Sequence, residues 1–128
     1  MKLSTWIILG AAIAAFLIYK RLTLMRPDTA LDWLNQGAKI IDVRTEREFQ
    51  QQHLPGVVNI PLDRLRDEIG RVAPSKDQPL LLHCLSGGRS GSGTAMLKEM
   101  GYRNVFNLGS YGRAEKILAG QVPVGKAE

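Results

Sequence analysis

The sequence predicts an α/β domain with a largely parallel central sheet flanked by helices, preceded by one apolar helix. Three observations carry this. Four short runs are almost continuously apolar: AKIIDV (residues 38–43), the VV pair at 57–58, PLLLHC (79–84) and NVFNL (104–108). Strands buried on both faces read this way, whereas half-solvated strands alternate. Helical patterns separate the runs, and strands alternating with helices favour parallel pairing through crossovers. Finally, residues 3–19, LSTWIILGAAIAAFLIY, carry no charge over 17 positions.

The elements follow in order. Residues 3–19 are near the lower limit for a membrane-crossing helix, for which about 20 residues is typical. Trp6 and Tyr19 lie near the two ends, where interfacial aromatics belong. A cleaved signal peptide needs small residues after the apolar run, and Phe16-Leu17-Ile18-Tyr19-Lys20 makes a poor cleavage site. The segment is therefore expected to remain as a single anchor. Lys20, Arg21 and Arg26 outnumber Lys2 and the amino terminus, so the positive-inside rule places the following domain in the cytoplasm. The division expected is residues 1–26 as anchor with basic flank and 27–128 as the folded domain.

Arg26-Pro27 reads as a linker. Asp28 or Thr29 is placed to cap a short helix through Leu31 and Leu34 that Gly37 closes. After the strand at 38–43, Thr45 with Glu48 three residues later forms a capping-box signature. HLPGVVNIP contains a Pro-Gly turn and a brief strand. Leu62, Leu65 and Ile69 share one helix face, and Pro74-Ser75 ends it. Residues 94–100 are helical, terminated by Gly101, and 114–119 suggest a last helix. No internal repeat or low-complexity stretch is present.

The net charge of +5 is concentrated at the start. Lys2, Lys20, Arg21 and Arg26 account for four of 17 basic residues, leaving 13 against 12 acidic ones in the remainder. That balance lacks the basic surplus of a nucleic-acid footprint. The single cysteine, Cys84, excludes an internal disulfide and suits a reducing compartment or a reactive thiol. No metal-ligand spacing occurs, and no cofactor is implied.

Cys84 stands at the carboxyl end of the third apolar run, where ligands bind in parallel α/β sheets. Leu85, Ser86, Gly87, Gly88, Arg89 and Ser90 follow it. Two glycines permit positive φ, which turns successive N–H groups inward, and the helix beyond adds its unpaired N–H groups. Such a ring favours the thiolate over the thiol. Arg89 adds a positive charge, either toward the thiolate or toward an anionic substrate at the mouth. A nucleotide phosphate loop is excluded because GGRSGSGT lacks the required lysine. On the loop alone, a buried packing cysteine and a nucleophile both remain open.

Four other residues merit attention. Asp42 stands at the end of a predicted strand, beside the expected pocket. Arg44 either contacts an anionic substrate or pairs with Glu46 or Glu48. His83 precedes Cys84 on a strand and so points to the opposite face, which makes it a poor general base. His53 directly precedes the Leu54-Pro55-Gly56 turn.

The loop CLSGGRS resembles the active-site loop of single-domain rhodaneses, thiosulfate-type sulfurtransferases. IIDVRTEREFQQQHLPGVVNIP (40–61) is similar to that family's D-V-R…E-[FY]…H-[IL]-x-G-x-x-N-[IL]-P signature, and MLKEMGYRNVFNLGS to the segment after the loop. The resemblance covers residues 29–118, most of the domain. Two departures stand out. Gln52 replaces a glycine before the histidine, and Gly109-Ser110-Tyr111-Gly112 lacks a frequent tryptophan. The resemblance implies a rhodanese fold, a persulfide carried on Cys84 within the loop of residues 85–90, an Asp42 that orders neighbouring backbone and a structural His53; residues 85–90 and Arg44 are the expected substrate-binding groups. It implies a small anionic sulfur donor and a thiol acceptor, either small molecule or protein. Related phosphatases on the same fold carry a longer C-x5-R loop. Here Cys84 to Arg89 is C-x4-R, a tighter ring suited to sulfur. The alternatives are a non-catalytic partner-binding module at the membrane and a phosphatase- or arsenate-type enzyme.

Overall fold

A computed structural model describes residues 2–120. Helix α1 (Leu3–Thr23) comes first, then α2 (Pro27–Asn35), β1 (Lys39–Asp42), α3 (Glu46–Gln51) and β2 (Val58–Asn59). A 3₁₀ turn (Leu62–Arg64) leads into α4 (Leu65–Val72), followed by β3 (Leu80–His83), α5 (Gly88–Glu99), β4 (Val105–Gly109) and α6 (Tyr111–Ala119). The four strands form one sheet in the order β2-β1-β3-β4, every neighbouring pair parallel. The predicted parallel α/β architecture is what the chain adopts.

Strand periodicity divides the core. Ile41, Val43, Leu80, Leu82 and Cys84 belong to the cluster under α4 and α5, with Leu65, Ile69 and Leu97. Ile40, Leu81 and Leu108 belong to the cluster under α2 and α6, with Ala30, Ala114 and Ile117. Successive strand residues face opposite sides, so one apolar run serves both cores. Each fully buried Leu or Ile contributes about 1.5–3 kcal/mol relative to exposure.

The chain order reverses beside β1, which lies between β2 and β3. In open α/β sheets the ligand crevice forms beyond the carboxyl ends of the strands at such a switch. Cys84 directly follows β3 and therefore sits at this crevice.

Three local expectations change. Pro27 is the first residue of α2 rather than a linker, because proline lacks only an N–H that the first turn leaves unpaired anyway. Helix α5 starts at Gly88, six residues before the predicted Thr94, and takes in the whole glycine-serine stretch. Glycine is a poor helix former, but close packing requires it here. A Cβ on Gly93 would lie 2.8 Å from Leu82 Cδ2 and 3.1 Å from Leu65 Cδ2. Lastly, α6 begins at Tyr111, where the Ser110 hydroxyl caps it by accepting from Arg113 N at 3.2 Å.

Helix α1 buries none of its side chains. Its 21 residues extend about 32 Å, close to the roughly 30 Å of a bilayer core. Among the described residues it is the one helix long and apolar enough to cross a membrane.

Candidate active site

The loop from Cys84 to Ser90 closes around the cysteine sulfur. The Sγ accepts from Gly87 N at 3.0 Å, from Ser90 N at 3.4 Å and from Ser90 Oγ at 3.4 Å. Gly87 makes this closure possible. Its φ is +96°, left-handed backbone that disfavours side chains. A Cβ there would lie at van der Waals distance from Gly109 Cα, 3.4 Å, so the backbone conformation and not space is what calls for glycine. Ser90 lies in the first turn of α5, so its N–H has no intrahelical acceptor and is free to point at sulfur. The N–H groups of Gly88 and Arg89 are in the first turn as well and likewise have no intrahelical acceptor.

Cys84 is fully buried. Burial alone raises a thiol pKa; here the Ser90 hydroxyl and the N–H groups of Ser90, Gly87 and Ser86 outweigh it and hold the pKa below its ordinary value. An inert packing cysteine in apolar surroundings shifts the other way.

Asn107 of β4 splints the loop. Its Oδ1 accepts from Ser90 Oγ at 2.7 Å and from Gly109 N at 2.9 Å, and its Nδ2 donates to Gly87 O at 3.2 Å. A serine hydroxyl has one proton. While Cys84 is a thiol, the shorter contact assigns that proton to Asn107; when the thiolate forms, the hydroxyl can turn to Sγ. On the other side, Cys84 N donates to Gly109 O at 3.2 Å, Tyr111 N donates to Leu85 O at 3.2 Å, and Ser86 bridges to Ser110. Leu85 and Ser86 form the exposed tip.

Arg89 does not reach the sulfur. Its guanidinium forks onto Glu48 of α3, with Nη1 at 2.6 Å from Oε1 and Nη2 at 3.0 Å from Oε2. The Arg89 pair, together with the Thr45 backbone and hydroxyl, lowers the Glu48 carboxyl pKa from 4.5 to about 2. The capping box between Thr45 and Glu48 forms as expected, and the same carboxylate has this second role.

Arg44 departs from the expected pairing with Glu46 or Glu48: it is buried and bonds neither. It binds Asp42 bidentately, with Nη2 at 2.7 Å and Nε at 3.0 Å, and donates to Gln52 O at 2.7 Å. β1 ends at Asp42 and the chain bends at Arg44, a turn in which the Asp42 carboxylate bonds the backbone two residues on, and that brings the pair together. Asp42 also accepts from Arg44 N at 2.9 Å, the backbone-ordering role expected of it. His83 faces away from Cys84, toward Tyr111 and Asp42, and burial lowers its pKa. His53 is exposed and stacks on Phe49. Gln52 has φ −163°, extended backbone open to any residue, so the missing glycine changes nothing. Tyr111, in the segment without the tryptophan, packs its ring 4.8 Å from the Arg44 guanidinium.

Sequence reasoning thus brought Cys84 and residues 85–90 together correctly as a loop but missed Glu48 and Asn107 as its supports. Among the described residues no cluster of potential metal ligands occurs.

Comparison with known proteins agrees with this geometry. The family model described as "Rhodanese-like domain" matches residues 26–112. Thiosulfate sulfurtransferase PspE of Escherichia coli is 39% identical over 69 residues, 54% of this chain and 66% of that protein. A solved structure described as a rhodanese with anions from E. coli superposes with a TM-score of 0.58 at 35% identity, over 60% of this chain and 91% of the other. The human single-domain sulfurtransferase TSTD1 shares the fold, with a TM-score of 0.62 at 23% identity over 73% of this chain and 96% of the other. The matched span holds the sheet, the switch point and the whole Cys84 loop, so the chain belongs to the rhodanese-like domain family.

Proposed function

We propose that this protein is a membrane-anchored sulfurtransferase that carries sulfur as a persulfide on Cys84. The Cys84 thiolate attacks the sulfane sulfur of a donor such as thiosulfate. A new S–S bond forms, the donor's own S–S bond breaks, and sulfite leaves with the electron pair. The outer sulfur then lies toward the rim formed by residues 85–90, where the Gly88 and Arg89 N–H groups are available to it. An acceptor thiolate or cyanide attacks that sulfur, and Cys84 departs as a thiolate.

One observation carries this reading: three donors converge on a single sulfur at the switch point of a parallel sheet. They stabilise the attacking thiolate, and it is equally the leaving group of the second step. With one cysteine in the chain, the acceptor is external. The similarity to PspE, named a thiosulfate sulfurtransferase, supports the same chemistry. The six-residue loop argues against phosphate chemistry. The complete burial of Cys84 favours the second reading, a module that binds partners without catalysis.

Helix α1 is proposed to span the bilayer, with the basic residues Lys20, Arg21 and Arg26 holding the domain on the cytoplasmic side. The chemistry is tested by intact mass spectrometry after thiosulfate treatment. The wild type is expected to gain one sulfur and Cys84→Ser none, while both keep the same fold. A wild type that gains nothing leaves only the binding module.

A further inference from the structure

The anchor does not hang from a flexible tether. Only Leu24, Met25 and Arg26 separate α1 from α2, and two of the three are fixed to the domain. Met25 is buried, and its N–H donates to Asn107 O at 3.2 Å. Arg113 donates to Met25 O and, at 2.6 Å, to Leu108 O. Leu24 occupies space that the missing side chain of Gly109 leaves, since a Cβ there would meet Leu24 Cδ2 at 3.1 Å. Residues 107–109 end the strand that backs the Cys84 loop. The exit of the anchor is therefore fixed at the catalytic edge of the sheet.

The last turns of α1 and the flank of α5 enclose a cavity of about 450 Å³. Phe16, Tyr19 and Leu24 supply apolar wall, and Lys20 and Lys98 reach it from the two helices. Neither lysine has a carboxylate or other hydrogen-bond partner among the described residues. Gly87 and Gly88 of the sulfur loop line the same cavity. Two uncompensated ammonium groups beside aromatic and aliphatic wall, at the point where an apolar helix ends, complement a group that is anionic at one end and greasy at the other.

We propose that Lys20 and Lys98 clasp the headgroup of an anionic phospholipid in this cavity, seating the domain with its Cys84 loop against the bilayer surface. The inference rests on the reading of α1 as a membrane span and is independent of the sulfur chemistry. A lysine near an anionic lipid surface is worth about 1 kcal/mol, so removing one is expected to lower lipid retention about fivefold.

The test uses the full chain in nanodiscs of phosphatidylcholine doped with phosphatidylglycerol, released into native mass spectrometry. The wild type is expected to retain phosphatidylglycerol in preference to phosphatidylcholine, and Lys98→Gln to lose most of that preference. Lys98 is exposed near the end of α5, so the variant is expected to fold, checked by its unchanged gain of sulfur from thiosulfate or by its melting curve. Alkaline extraction of membranes separates the two readings. A wild type that washes off refutes the span. A wild type that stays in the membrane but retains both lipids equally, or a variant that retains phosphatidylglycerol as well as the wild type does, overturns the headgroup site.

Discussion

Replacing Ser90 with alanine removes the one side-chain donor to the Cys84 sulfur and leaves the Gly87 and Ser90 N–H groups in place. A hydrogen bond to a charged group is worth about 1.5–3 kcal/mol. The Oγ–Sγ contact is long at 3.4 Å and competes with the 2.7 Å contact to Asn107, so the lower end applies. That predicts an upward shift of the thiol pKa by about one unit. The assay is the rate of alkylation by iodoacetamide against pH. Cys84 is the only thiol, so the midpoint reports it alone. Loss of the bond to Asn107 should also cost about 1 kcal/mol in unfolding free energy, because Asn107 Oδ1 keeps Gly109 N. Linkage gives a second readout. The folded thiol pKa lies below the unfolded one, so the thiolate contributes stability that is present above the unfolded pKa. It is lost as pH falls through the folded pKa, and Ser90→Ala should narrow that window. An unchanged alkylation midpoint in a folded Ser90→Ala protein would refute the cradle as the cause of the lowered pKa.

Glu48→Gln is expected to remove about 1 kcal/mol of stability at neutral pH, the figure for a partly exposed pair after solvent screening. The carboxylate's contribution is present above pH 4.5 and lost as pH falls toward 2, so denaturant unfolding across that window should fall less steeply in the variant. Gly87→Ala forces a side chain into left-handed backbone at about 1–2 kcal/mol; it should lower Tm and also raise the thiol pKa, because Gly87 N leaves Sγ. Gly93→Ala crowds Leu82 and Leu65 and should cost about 1–3 kcal/mol with the alkylation midpoint unmoved, since Gly93 does not touch the loop.

These contrasts reflect what a sequence can express. The strands at 38–43, 79–84 and 104–108 were legible because burial on both faces leaves a continuous apolar run. The Thr45–Glu48 box was legible because both halves lie within four residues. The second role of Glu48 was not, since Arg89 lies 41 residues away and only the packing of α3 against the loop joins them. Asn107 left a faint signal that was passed over. An amide inside an otherwise apolar buried strand needs partners, and here the partners are the loop itself. The Arg44–Asp42 pair was not legible from strand spacing, since β1 ends at Asp42 and only the bend at Arg44 joins the two. The early start of α5 was hidden by propensity: three glycines in its first six residues argue against a helix, and the close approach of Leu82 explains the one at Gly93.

The cations nearest the loop are both spoken for, Arg89 by Glu48 and Arg44 by Asp42. The groups that touch Sγ are N–H dipoles and one hydroxyl rather than a cation. This suits a two-step sulfur transfer. A free guanidinium beside Sγ would stabilise the persulfide as much as the attacking thiolate, and would hold the intermediate against the acceptor. Dipoles aimed at Sγ weaken steeply with distance, so they favour the thiolate on Sγ, which is both nucleophile and leaving group, over the outer sulfur one bond further out. The carboxylate of Glu48 thus holds the Arg89 guanidinium out of contact with Sγ, while the Arg89 charge still acts on Cys84 through space.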